Sequence, residues 1–348
     1  MSQIEEIPHN RPTLDEREIV AAEHVIRSGW VAQGPQVDAF ESALCDFLSL
    51  PPGSAVAVSS GSAALYLALR TLDLQGPVAI PGYACAALRN AVHLAGLTER
   101  LVDNRKDEPN IDLSAPGVGA ASALVLVHTF GIPSRFDPAQ HPGFIIEDCA
   151  QAMGARVSGA AAGTSGDIGI YSFYATKMIT TGGQGGAIVS RNTSWIEQIR
   201  DYRRFDARHD RSYRFNLCMT DLQAAIGRSQ LARLPELLRI RREIFLEYES
   251  AFPAFLTPRE SDIEPNHYRA VLRVKDASCV ISHFARHGIR CIVPIEDLEI
   301  PGDEDTLPNA FALSRSTVSV PLYPTLSRDD RIRINRCLRE ISEMEMLE

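Results

Sequence analysis

The sequence predicts an α/β fold: a large domain with a mixed, mostly parallel sheet flanked by helices, then a smaller C-terminal α+β domain. Three observations support this. Strand-like and helix-like runs alternate between Ala55 and Asp148, the pattern of a parallel sheet covered on both faces. Two apolar strands then bracket a lysine and a glycine-rich turn, DIGIYSFYATKMITTGGQGGAIVS, from Asp167 to Ser190. After a long helical run the chain changes to a sparser mixture of strand and helix.

In order, residues 1–12 form an arm containing Pro8 and Pro12. Thr13 to Ser28 has helical periodicity, a threonine cap and acids in its first turn. A loop, GWVAQGP, leads to a second helix ending at Phe47. AVAVSSGSAALYLALRTL gives a strand, a small-residue turn and a helix. VAIP (78–81) is the next strand, and ACAALRNAVHLAG the helix after it. ALVLVH (123–128) and GFIIED (143–148) are further strands. An arginine-rich stretch with arginines at 200, 203, 204, 208, 211 and 214 reads mostly as a solvated helix face. Helix is expected from Thr220 to Phe252, and the domain boundary is placed within it, giving domains 1–238 and 239–348. YRAVLRVK is a strand, CVISHFARHG a helix, 296–308 an acidic loop, and a last helix starts at Ser327. There is no internal repeat.

Composition narrows the function. With 348 residues, 45% hydrophobic and 23% charged, the chain is long enough for a large core and has the balance of a globular enzyme. A net charge of −9 disfavours nucleic acid as a partner. No apolar run approaches the roughly 20 residues that span a bilayer, and no signal peptide is expected at the N-terminus. Seven cysteines without a C-x-x-C pair point away from disulfides and from a metal site, and toward a cytoplasmic location.

The chemistry centres on Lys177. It follows an apolar aromatic strand and precedes Gly182, Gly183, Gly185 and Gly186, so it sits at the mouth of a core, where desolvation favours the neutral amine that a Schiff base needs. An ordinary lysine beside a flexible turn has the same local signature. Gly61 and Ser62 lie where a strand turns into a helix, a place where free N–H groups gather around an anion, or where small residues merely cap a helix. Asp148 ends a parallel strand, the edge where such sheets bind ligands. A carboxylate there can keep a pyridinium nitrogen protonated, or cap the next turn. Ser172, five residues before Lys177, offers another hydroxyl.

In this order, and with SGWVAQGPQVDAFE, SSGSAALYLAL, VAIPGYACAALRNAVHLAG, EDCAQAMGA, SFYATK…TTGGQGG, MTDLQAAIGRSQLARL and SVPLYPTLSRDD, the chain resembles the DegT/DnrJ/EryC1/StrS sugar aminotransferases along nearly its whole length. These are fold-type I enzymes that use pyridoxal 5′-phosphate. The resemblance implies that domain 1–238 binds the cofactor and that Lys177 is the Schiff-base lysine. It makes Asp148 the partner of the pyridine nitrogen, places Gln151 beside the ring and its 3′-oxygen, and makes Gly61, Ser62 and Ser172 phosphate ligands. Asn216 matches an asparagine that reaches the phosphate from the neighbouring subunit, so a homodimer with shared active sites is implied.

Three departures stand out. Cys85 occupies the place of the family's ring-stacking aromatic in the cofactor site, leaving Tyr83 as a candidate for that contact. The N-Y-R-M motif reads Asn216-Leu217-Cys218-Met219, without its arginine. GIRCIVPIEDLEI lacks the family's usual His/Tyr-Pro pattern. The implied activity is transfer of an amino group from an amino acid, glutamate by resemblance, to the keto group of a sugar, expected to be nucleotide-linked, or of a cyclitol. The alternatives are a PLP-dependent sugar dehydratase, disfavoured because such relatives carry His in place of the lysine, and a PLP-binding homologue with a regulatory role.

Overall fold

The computed structural model describes residues 5–141 and 143–343. Helix α1 (Glu16–Ser28) begins later than expected, and its cap is Asp15 rather than Thr13. The Asp15 side chain accepts from the Arg17 N–H, while Glu18 reaches back to the Asp15 N–H, a reciprocal box that Thr13 is too far upstream to make. Helix α2 (Pro35–Leu48) has no capping side chain of its own. Its first amides, on Gly34, Gln36 and Val37, donate to Asp221 at 2.8, 3.1 and 3.0 Å.

Strand β1 (Ala55–Val58), α3 (Gly61–Thr71), β2 (Val78–Pro81), α4 (Ala87–Leu94) and β3 (Glu99–Val102) follow. The sequence did not reveal β3, because Glu99 and Arg100 hide its apolar character. It lies at the edge of the sheet, where one side stays open to solvent. After the short α5 (Pro116–Gly119) come β4 (Ala123–Val127), β5 (Phe144–Asp148), the two-residue strands β6 (Arg156–Val157) and β7 (Ala160–Ala161), β8 (Ile168–Ser172) and β9 (Gly186–Val189). The central sheet has the order β1-β9-β8-β5-β4-β2-β3. Only β9 runs against its neighbours, so the sheet is mixed and mostly parallel, as expected.

Both faces are covered. Val56 and Val58 of β1 join α3, α4 and α6 (Thr193–Arg203) in one core, while Ala55 and Ala57 join α2 and α7 (Asp221–Ala251) in the other. Alternate residues of a strand face opposite sides, so one strand feeds two cores.

The arginine stretch corrects an expectation. Only Arg200 and Arg203 are helical, and Arg203 is buried, donating to the Ala57 carbonyl at 2.9 Å and pairing with buried Glu41. Arg200 donates to the Ala55 carbonyl at 3.0 Å. Arg204, Arg208 and Arg211 are exposed.

Helix α7 runs for 31 residues, close to the expected span, with Thr220 and Gln223 forming its capping box. Leu231, Leu234 and Leu237 pack in the core shared with α2, Ile244, Phe245 and Tyr248 in a third. That third core is completed by β11 (Ala270–Arg273), α8 (Ala277–Arg286), β12 (Thr317–Val320) and α10 (Arg328–Glu343). Strand β10 (Ile263–Glu264) pairs with β6. Helix α9 (Pro308–Ser316) and β12 were not anticipated; TVSV is too short and too polar to stand out, and it becomes a strand by pairing with β11. The N-terminal arm lies along this region, with Ile7 bridged to Ile289 and Asn10 donating to the Thr176 carbonyl at 3.2 Å. Residues 1–4 of the arm lie outside the described residues. Among the described residues, no helix is long and apolar enough to cross a membrane.

Candidate active site

Strands β4, β5 and β8 are parallel, so their C-terminal ends share one edge of the sheet. A cavity of about 260 Å³ opens there. Its lining includes Gly61, Ser62, Cys85, Asp148, Gln151, Ser172 and Lys177. Tyr83 lines it too, so eight of the nine residues named for the site from the sequence meet in one place.

The loop after β8 is closed by its own backbone. Phe173 N–H donates to the Gly185 carbonyl at 2.8 Å and Ala175 N–H to Gly183 at 3.0 Å, while Thr181 Oγ1 donates to the Gln184 carbonyl at 2.6 Å. Gly182 and Gly183 have φ of 84° and 143°, which side-chain-bearing residues rarely adopt. The folded-back loop delivers Lys177 to the cavity. The chain has three lysines, and the other two, Lys106 and Lys275, are exposed and do not line it.

Helix α3 is capped by Ser60, whose Oγ accepts from the Ala63 N–H at 3.1 Å. Its first residues abut the end of β8 so closely that a Cβ on Gly61 would lie 2.7 Å from the Ser172 Cβ. A Cβ on Gly186 would meet the Ser60 carbonyl carbon and oxygen at 2.4 Å. These contacts press the helix N-terminus, with its positive dipole end, against the Ser172 hydroxyl.

Asp148 is buried, and one carboxylate oxygen accepts from the Ala150 N–H at 2.8 Å. Burial pushes its pKa up; the Ala150 N–H and the nearby Lys177 charge offset part of that. Its neighbour Glu147 points the other way and accepts from Gly163, Ser165 and Gly166 N–H groups. His128 Nδ1 accepts from the Ser134 N–H, so Nε2 carries the proton and donates to Glu147 at 2.9 Å. Burial alone would raise the Glu147 pKa, but His128 and these amides bring it below the ordinary value. Gln151 Oε1 accepts from the Phe130 N–H at 2.7 Å, which leaves its amide NH₂ as the group it can offer a ligand.

Three expected residues differ from the others. Cys85 is exposed at the mouth, and Tyr83, although it lines the cavity, is fully buried. The Tyr83 hydroxyl lies 3.1 Å from Thr317 Oγ1 and its ring meets Phe130 edge-on. Asn216 is exposed and does not line the cavity of its own chain; its Oδ1 accepts from the Cys218 N–H at 3.2 Å.

Three further residues were not found from sequence. Thr129 Oγ1 is buried without a hydrogen-bond partner among the described residues, and its residue lines the cavity. Tyr268 is buried with its ring centroid 5.3 Å from Lys177 Nζ. Asn266 holds Tyr268 in place, accepting from its N–H at 2.9 Å and donating to the Gln151 and Met153 carbonyls at 2.8 and 3.0 Å. The only sequence signal for these two was an aromatic at the start of a strand.

Over residues 12–339 the chain matches the sequence model of the DegT/DnrJ/EryC1/StrS aminotransferase family. Spore coat polysaccharide biosynthesis protein SpsC of Bacillus subtilis (strain 168) is 29% identical, with 96% of this chain and 97% of that protein covered. The dTDP-3-amino-3,4,6-trideoxy-alpha-D-glucose transaminase of Streptomyces venezuelae is also 29% identical, covering 93% of this chain and 91% of that protein. Among solved structures, aminotransferase TlmJ from Streptoalloteichus hindustanus superposes with a TM-score of 0.89 at 26% identity, covering 97% of this chain and 98% of that one.

Proposed function

This chain belongs to the DegT/DnrJ/EryC1/StrS aminotransferase family, and we propose that it moves the amino group of L-glutamate to the keto group of a nucleotide-linked sugar. It is a PLP-dependent aminotransferase. The observation that carries the reading is the meeting of Lys177, the buried strand-end Asp148 and the α3 N-terminus around one cavity. The donor set fits the cofactor. An amine, a carboxylate, a helix N-terminus with two hydroxyls and the unpartnered Thr129 Oγ1 offer complements to a carbonyl, a ring nitrogen, a phosphate and a ring oxygen.

Bound there, PLP supplies an electron sink for the pair released when the donor Cα–H bond breaks. Lys177 would hold the cofactor through Nζ, and its free amine would take the proton from the donor Cα. Asp148 would hold a proton on the ring nitrogen, its charge undiluted by water in a buried site. Gly61, Ser62 and Ser172 would hold the phosphate, and Gln151 would donate its amide toward the ring. Cys85 supplies no ring and Tyr83 is engaged by Thr317 and Phe130, while Tyr268 flanks Lys177 and the exposed Tyr174 also lines the cavity.

The name of the Streptomyces venezuelae relative, a transaminase of a dTDP-linked sugar, supports a nucleotide-linked acceptor. The division into domains 1–238 and 239–348 is supported by α7, whose Leu237 and Ile244 belong to different cores. We place the enzyme in the cytoplasm as a homodimer. The exposure of Asn216 outside its own cavity supports its service to the partner's phosphate.

The reading is tested by incubating cofactor-loaded enzyme with L-glutamate, then with a panel of nucleotide-linked keto-sugars, and following 2-oxoglutarate and the aminated sugar by mass spectrometry. Formation of both supports it; turnover only with free sugars or other acceptors replaces the acceptor. Shared sites are tested by refolding an equal mixture of Asn216→Asp and Lys177→Ala chains. Half the dimers are mixed and each holds one intact site, so activity should return to about a quarter of wild type. Mixed dimers without activity would assign Asn216 to its own chain.

A further inference from the structure

Away from the cavity, two helices bring four metal-binding side chains to one point. His283 and His287 stand four residues apart at the end of α8, a spacing that puts both rings on one helix face. Cys337 and Glu340 stand three apart on α10 and meet them. Nε2 of His283 and of His287 lie 3.0 and 3.8 Å from the same Glu340 Oε2, and the two imidazole centroids are 4.9 Å apart. One donor atom from each of the four residues, Cys337 Sγ included, lies within 4.8 Å of the others.

We propose that this cluster is a zinc site of His₂-Cys-Glu composition that ties α8 to α10. A tetrahedral zinc ion with bonds of about 2.0–2.3 Å holds its donors roughly 3.3–3.8 Å apart, so the cluster needs a contraction of only about 1 Å. Thiolate and imidazole donors select zinc over magnesium or calcium, which prefer oxygen. The tautomer of His287 is already suitable. Its Nδ1 lies 3.1 Å from the His283 carbonyl, so that nitrogen carries the proton and Nε2 keeps its lone pair for the cluster. Ion pairs with Glu340 account for His283 and, at 3.8 Å, for His287, but not for a buried thiol at the same point. His283 and Cys337 close the inner side, while His287 and Glu340 are half-exposed and leave a way in.

The site also has a structural task. Helix α8 ends at Arg286 with His287 as its C-cap, Gly288 follows with φ of 66°, and Ile289 pairs with Ile7 of the N-terminal arm. The ion would brace the ledge on which the arm docks at Ile7, just before His9 and Asn10, and Asn10 touches the Thr176 carbonyl next to Lys177. Donors drawn from two helices some fifty residues apart leave no short motif, which is why the cysteine pattern pointed away from a metal.

The test uses the untagged holoenzyme, stripped with a chelator and titrated with zinc chloride by calorimetry, then with cobalt chloride by absorbance. One ion per chain is expected, and the cobalt form should show tetrahedral visible bands with a thiolate charge-transfer band in the near ultraviolet. Glu340→Gln and His287→Ala, both at half-exposed positions, should weaken binding at least as much as the 10–100-fold typical of losing an outer-shell partner. Cys337→Ser should lose the charge-transfer band, and all three should keep the cofactor absorbance. No ion bound by the unmodified chain, or zinc bound equally well by Glu340→Gln and His287→Ala, overturns the site.

Discussion

Lys177 Nζ lies 5.3 Å from the centroid of the Tyr268 ring, although the two residues are separated by most of the glycine loop and the whole of α7. Burial would push the Tyr268 hydroxyl pKa up, but the charges of Lys177, Arg269 and Arg241 outweigh it and hold the pKa below the usual tyrosine value. The ring is thus a wall that keeps water from one side of the lysine, and its environment is strongly cationic. Tyr268→Phe keeps the wall and should slow the glutamate half-reaction less than tenfold. Tyr268→Ala removes a buried aromatic, costing about 3–5 kcal/mol of stability, and should slow it far more. Stopped-flow absorbance and urea unfolding check both; equal rates for the two variants would remove the ring from the site's function.

Asp148→Asn keeps the shape of the side chain and its hydrogen bond from Ala150 but removes the charge. The half-reaction should slow by ~10²-fold or more, with little loss of cofactor, because a charge-assisted interaction in a dry site is being lost. Single-turnover absorbance with glutamate measures the rate, and ultrafiltration the cofactor retained. A wild-type rate would make Asp148 a structural cap.

Gly61→Ala places a methyl group 2.7 Å from the Ser172 Cβ. Helix and strand must separate, at a cost of about 1–3 kcal/mol, and cofactor affinity should fall because the helix N-terminus moves. Adding Ser172→Gly should restore stability in urea unfolding without restoring cofactor affinity in fluorescence titration. Unchanged affinity in the single variant would show that the contact does not set the phosphate site.

Arg203→Met removes the buried partner of Glu41 beneath β1 and leaves its carboxylate with the longer Arg200 contact at 3.4 Å and the Ala57 N–H. Breaking a buried pair by removing one partner costs about 3–5 kcal/mol. The double variant with Glu41→Gln should recover part of that loss in denaturant unfolding, since no bare charge remains. A single variant of wild-type stability would mean that water reaches Glu41.

What could be read in the sequence was what the chain encodes locally. The strand–lysine–glycine segment around Lys177, the small-residue turn at Gly61 and Ser62, and the strand-end Asp148 are each contained in a few consecutive residues, and the structure gathers them around one cavity. What could not be read depends on distant partners. Strand β3 is charged and exists by pairing with β2, and β12 by pairing with β11. Tyr268 reaches Lys177 only because Asn266 ties its segment to Gln151 and Met153. The burial of Arg203 was hidden for the same reason, since its partner Glu41 lies on α2.

The central claim is that Lys177 holds the cofactor, and the chain offers an unusually clean test because it contains only three lysines. Reduction of the cofactor-loaded enzyme with borohydride, followed by peptide mapping, should place the pyridoxyl group on the peptide carrying Lys177 alone, and Lys177→Ala should hold the cofactor only reversibly. Label on Lys106 or Lys275 in its place, or covalent retention of the cofactor by Lys177→Ala, would contradict it.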